Sequence, residues 1–283
     1  MDRATTGGMG RRVGSTWQIL KTEPNDASPR SIATAMHRSR ISSPRTGRNG
    51  GPSDDLSEGS TSNGPAEVRI APKANLRNVR RLLCIGASCK DLEVGAGCTI
   101  GRIINESPDI EVWWAVLSCD VPGRARSARR AARLFLAGAE RRKVLMYGFR
   151  DGSLLFQGEQ VRETFEDLAA TFSPELVISP CEDGQLDQRF VCHITRETFD
   201  DCTILEFELL SGRCLLTYAN LYVPLQEAEC RSKIERFREA YGEHEPTHFH
   251  SAEVLWSLMR LRGAECGAAR FAEAFHVCRL VAG

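Results

Sequence analysis

At 283 residues, with 37 Lys plus Arg against 37 Asp plus Glu, the chain carries no net charge, which excludes a global field for nucleic acid or an anionic membrane surface. Its hydrophobic fraction of 42% is that of a globular protein, and no apolar run reaches the roughly 18 residues of a membrane span. The 11 cysteines are odd in number and scattered without a CxxC pair, so neither a disulfide framework nor a zinc finger is expected. Thiols in a reducing cytoplasm are the simplest reading, and no secretory h-region opens the sequence.

Residues 1–70 read as a disordered tail. The stretch "RTGRNGGPSDDLSEGSTSNGP" has almost nothing to bury and cannot offset its ordering entropy. The folded domain is expected over 71–283.

Within that domain, "RRLLCIGAS" reads as a buried strand and "GAGCTIGRIINE" as a helix. "IEVWWAVLS" is a second strand, with Trp113 and Trp114 on opposite sheet faces. "RARSARRAARLFLAGAE" is a helix, "KVLMYG" a third strand, "EQVRETFEDLAATF" a helix and "ELVISP" a short fourth strand. Strands alternating with helices predict an α/β fold, a Rossmann-like parallel sheet with helices on both faces. Ligands in such sheets bind beyond the carboxyl ends of the strands, here Ser88, Ser118, Gly148 and Pro180.

Four blocks sit at or after those ends: "ASCKDLE" followed by glycines 95 and 97, "FRDGSL", "CEDGQLDQRF", and a C-terminal "RLRGAECG" with "AEAF". Their order and spacing resemble the zinc-dependent de-N-acetylases of the LmbE / PIG-L family, over Arg80 to about Leu280. That family carries A-H-P-D-D-x-E before a glycine-rich helix start, H-x-D-H after the fourth strand, and R-G-x-E and A-E-x-F near its end. The resemblance implies a hydrolytic zinc with three protein ligands and an open position for water, an aspartate base, and a histidine that protonates the leaving amine.

Position by position, this sequence departs from that chemistry. Ser88 stands at the first ligand, Lys90 at the base, Gln185 at the acid and Gln188 at the last ligand. Asp91 is the one retained ligand; Asp187 and Glu93 also survive. Serine and glutamine are poor zinc donors. The expectation is a protein of this fold that lacks the family's zinc-dependent activity, needs no cofactor and binds a small sugar-like or N-acylated ligand. The resemblance places substrate contacts at Arg150, Asp151 and Asp187. The alternative is an active hydrolase removing an acetyl group from an N-acetylated sugar or glycolipid. It would use a zinc site rebuilt from Cys89, Asp91 and Cys192.

Lys90 could supply the missing cation's charge between Asp91 and Asp187. Arg124, Arg126, Arg129, Arg130 and Arg133 crowd one helix, as a phosphate site or a solvated basic face. His244, His248 and His250 in "GEHEPTHFH" look like a metal cluster but read as a loop far from the strand ends.

Overall fold

The computed structural model describes residues 76, 78–120, 122–210, 218–242 and 250–281. The expected tail, His244 and His248 lie outside the described residues.

In chain order the elements are β1 (Arg81–Ser88), α1 (Asp91–Glu106), β2 (Glu111–Ser118), α2 (Pro122–Phe135), β3 (Arg141–Met146), a 3₁₀ turn (Leu154–Gln157), α3 (Gly158–Thr171), β4 (Leu176–Pro180), α4 (Leu186–Thr198), β5 (Thr203–Phe207), β6 (Leu221–Leu225), α5 (Glu227–Tyr241), α6 (Ala252–Cys266) and β7 (Phe271–Arg279). The four strands read from sequence appear within about two residues of their expected bounds. Helix α1 starts four residues earlier than expected, directly after Lys90, whose φ of 84° makes the turn. Asp91 and Glu93 occupy its first turn, where carboxylates oppose the positive end of the helix dipole.

The sheet order is β3-β2-β1-β4-β5-β7-β6. Pairings from β3 through β5 are parallel. β7 joins β5 antiparallel and β6 joins β7 antiparallel, so the sheet is mixed at one edge. The "AEAF" block, given no element in the sequence reading, is strand β7.

Alternation along the strands divides the core. Leu82, Cys84 and Trp114 pack with α1, α2, α5 and α6. Leu83, Ile85 and Trp113 pack with α3 and α4. The two tryptophans thus face opposite sides, as their adjacency in a strand requires.

Helix α1 lies flush on its neighbours because Gly95 and Gly97 have no Cβ. One at Gly95 would fall 2.1 Å from Phe207 Cδ2, and one at Gly97 2.5 Å from Phe135 Cε1. A buried ion pair then enters the helix itself. Lys233 Nζ donates to the Val94 carbonyl at 2.6 Å and to Glu273 Oε1 at 2.7 Å. Glu273 accepts the Cys98 and Thr99 N–H groups at 3.0 and 2.7 Å. The Cys98 N–H and the Val94 carbonyl, donor and acceptor of one turn of an α-helix, thus each have a charged partner. Arg262, from "RLRG", pairs with Glu208 at 2.5 Å with both side chains buried. The C-terminal blocks therefore supply two charged ties: Glu273 holds β7 to α1 and α5, and Arg262 holds α6 to Glu208 just after β5.

Candidate functional site

β1 and β2 end side by side with Ser88 paired to Ser118, and Ser118 bridges to Gly148 beyond β3. Past these ends opens a cavity of about 760 Å³, where an open α/β sheet places its ligands. The loop after β1 contributes Ser88, Cys89, Lys90 and Asp91. The loop after β2 contributes Cys119, Asp120 and Arg124. Asp151 and Gly152 follow β3, and Gln185, Asp187 and Gln188 open α4.

Asp91 is the centre of a small hydrogen-bonded group. Its Oδ2 accepts the Ser88 N–H at 2.9 Å and its Oδ1 the Ser88 hydroxyl at 3.4 Å. The Gln188 side chain hydrogen-bonds the same carboxylate. Burial pushes the Asp91 carboxyl up to about 7, against the lowering effect of the Ser88 N–H. Gln188 Oε1 is buried without a protein hydrogen-bond partner. Asp187 Oδ1 accepts the Leu154 N–H at 3.0 Å, which pins the 3₁₀ turn to α4; its Oδ2 is buried and unpartnered. Burial raises the Asp187 carboxyl as well.

The three positions that the resemblance assigns to zinc thus converge, but they do not fit the ion. Beside the one carboxylate, a hydroxyl and an amide are weak donors compared with imidazole or thiolate, and the Ser88 hydroxyl is turned onto Asp91. Among the described residues no three His, Cys, Asp or Glu side chains are grouped to hold a metal. The rebuilt set of Cys89, Asp91 and Cys192 is not assembled: Cys192 is fully buried away from the cavity, with its Sγ 3.4 Å from Glu206 Oε1.

Lys90 places its ammonium 5.3 Å from the centroid of the Tyr241 ring on α5. Its charge favours the ionised form of Glu93, whose Oε1 accepts the Tyr241 hydroxyl at 2.8 Å. Burial still pushes the Glu93 carboxyl up to about 7.

Gln185 and Asp151 line the cavity as expected, whereas Arg150 is exposed and outside the lining. Of the arginine-rich helix, Arg124 reaches the cavity and pairs with Asp151 at 3.3 Å. Arg130 pairs with Glu239 on α5. Cys119, Asp120, Leu209, Leu210 and His250 line the cavity without having been placed there from sequence. His250 belongs to the histidine-rich loop that was set far from the strand ends, yet it lines the cavity. Cys119 and Asp120 directly follow β2, so the strand-end rule could have found them. Cys89, offered as a ligand of a rebuilt site, does line the cavity, with its Sγ 3.5 Å from the Ser118 carbonyl.

Comparison with solved structures follows this geometry. The N,N'-diacetylchitobiose deacetylase of Pyrococcus horikoshii matches with a TM-score of 0.55 at 16% identity, over 72% of this chain and 87% of that one. The fold is one that solved deacetylases share. Teicoplanin deacetylase, in a zinc-inhibited form, matches at 0.54 and 12% identity over 72% of this chain and 100% of that one. The 4-carboxy-2-hydroxymuconate hydratase of Pseudomonas putida matches at 0.56 and 14% identity, over 72% and 98%. No family model and no curated protein matches the sequence. At these identities the likeness establishes the fold, and the hydratase shows that one fold hosts more than one chemistry. No described helix is long and apolar enough to cross a membrane.

Proposed function

We propose that this protein is a relative of the LmbE / PIG-L de-N-acetylases that lacks their zinc-dependent activity and binds a sugar-like or N-acylated small molecule in the cavity at the strand ends. The observation that carries the reading is the Ser88–Asp91–Gln188 group. Its members stand where the resemblance calls for zinc ligands, and Ser88 and Gln188 both act on the Asp91 carboxylate.

The walls support the ligand class. Asp120, Arg124, Asp151 and Gln185 offer hydrogen-bonding groups to hydroxyls or an amide. Leu186 is an exposed apolar side chain that lines the cavity, suited to an acyl portion. Solved deacetylases named for diacetylchitobiose and teicoplanin share the fold.

An active hydrolase remains the second reading, favoured by one observation: His250 lies in the same cavity as Asp120 and Asp151, and a histidine there is a candidate general base. Titration calorimetry of chelator-treated protein with N-acetylglucosamine derivatives, with acetate assayed in the same cell, separates the two. Saturable binding without acetate release is the expected result. Acetate released by the chelator-treated protein, and lost in His250→Ala, would establish the second reading.

A further inference from the structure

Among the described residues two cysteine pairs have thiols near enough to shift each other's titration, Cys89 with Cys119 and Cys98 with Cys230. The pairs differ in access. Cys98 and Cys230 are 6% and 0% exposed inside the core, whereas Cys89 and Cys119 both line the cavity. We propose that Cys89 and Cys119 form an oxidisable dithiol in the cavity wall, closed to an intramolecular disulfide by hydrogen peroxide. This inference rests on the geometry of the cavity and not on what ligand the cavity holds.

The sheet register sets the distance. Ser88 and Ser118 are direct partners on adjacent parallel strands, and each cysteine is the next residue. Neighbouring strands run about 4.8 Å apart, inside the roughly 4.4–6.8 Å between Cα atoms that a disulfide requires. The Cys89 thiol is directed toward β2, since it donates to the Ser118 carbonyl at 3.5 Å. Closure therefore asks for rotation of two side chains at loop positions and leaves both strands paired.

The chemistry balances with peroxide as the oxidant. One thiolate attacks a peroxide oxygen, giving a sulfenic acid and hydroxide. The second thiol then displaces the sulfenic oxygen, forming the S–S bond and releasing water. Two thiols lose two electrons and two protons, and one peroxide becomes two waters. The bond would tie the β1–α1 loop, which holds Lys90 and Asp91, to the β2–α2 loop, which holds Asp120.

The test uses the full chain, reduced, freed of reductant and exposed to equimolar hydrogen peroxide. Remaining thiols are then alkylated and the protein digested with trypsin without reduction. The expected product joins the peptide Leu82–Lys90 to the peptide Ile103–Arg124, with fragment ions placing the link on Cys89 rather than Cys84. Two titratable thiols per chain disappear and return with dithiothreitol, and Cys119→Ser abolishes the link. Because substitution of Cys119 could unsettle the fold, circular dichroism of that variant accompanies the map, and the wild-type map stands alone if the variant is unfolded. Both peptides recovered fully alkylated, Cys119 carried to sulfinic acid, or a Cys98–Cys230 link formed first would each overturn the proposal.

Discussion

Lys233 Nζ lies 2.7 Å from Glu273 Oε1 with both side chains almost wholly buried. Breaking one half of such a pair leaves an uncompensated charge in the core, at a cost of about 3–5 kcal/mol. Lys233→Met should lose that much in urea unfolding at neutral pH. Adding Glu273→Gln, which removes the charge and keeps an acceptor for the Cys98 and Thr99 N–H groups, should recover much of it. The pH window follows from sign. Burial pulls the ammonium down, but Glu273 and the nearby thiols outweigh it and hold it above its ordinary 10.5. A folded value above the unfolded one means the stabilisation is complete below the unfolded pKa and is lost as pH climbs through the folded one. The wild type should keep this contribution at pH 9 and give it up only in strong alkali. A Lys233→Met variant as stable as the wild type would contradict the assignment.

Close approach makes Gly95 the least replaceable glycine of α1. Gly95→Ala drives a methyl into the Phe207 ring, and overpacking of this kind costs about 1–3 kcal/mol or more. Gly101 is the control. A Cβ there meets nothing nearer than Arg236 Nη1 at 4.0 Å, so Gly101→Ala should be neutral or stabilising by up to about 1 kcal/mol from helix propensity. Phe207→Leu should partly rescue Gly95→Ala. Equal effects at the two glycines in denaturant melts would show that Phe207 is not the obstacle.

The strand and helix sequence from Arg81 to Pro180 was legible because β1, β2 and β4 are nearly continuous apolar runs and α2 and α3 each have a one-sided stripe. The antiparallel edge was not. β6 is only LYVPL with an internal proline, and β7 mixes Glu273, His276 and Arg279 into its apolar residues, so neither carries a clean period. At the site, motif spacing brought Ser88, Asp91, Asp187 and Gln188 to one cavity. It could not show that Ser88 and Gln188 turn their hydrogen bonds onto Asp91, because that depends on side-chain direction. It also missed His250, since the stretch "GEHEPTHFH" has no period from which a position could be read. The retained C-terminal motif was read only as a family mark. Its physical reason, Glu273 and Arg262 each completing a buried ion pair, lies in contacts between segments far apart in sequence.

The composition of residues 1–70 supports a tail that adds nothing to the fold. A chain beginning at Ala66 should melt cooperatively within a few degrees of the full-length protein by differential scanning calorimetry. A fall of ten degrees or more, on the order of several kcal/mol for a domain of this size, would mean that the tail packs on the domain.

Convergence of the three positions around Asp91 has a constructive consequence. Ser88→His together with Gln188→His would place two imidazoles beside one carboxylate, a set that suits zinc. This double variant should acquire a chelator-removable zinc and a zinc-dependent rise in melting temperature, both absent from the wild type. Failure of a folded double variant to bind zinc would show that these side chains do not share one centre.

The central claim is that the site has lost the family's zinc chemistry, and it is tested most directly by metal analysis of the purified wild-type chain, with acetate release from N-acetylglucosamine derivatives measured on the same sample. The account predicts sub-stoichiometric zinc that added metal does not raise, and no acetate above the rate without protein. One tightly held zinc per chain, with acetate release that a chelator stops and Asp91→Ala abolishes, would contradict it.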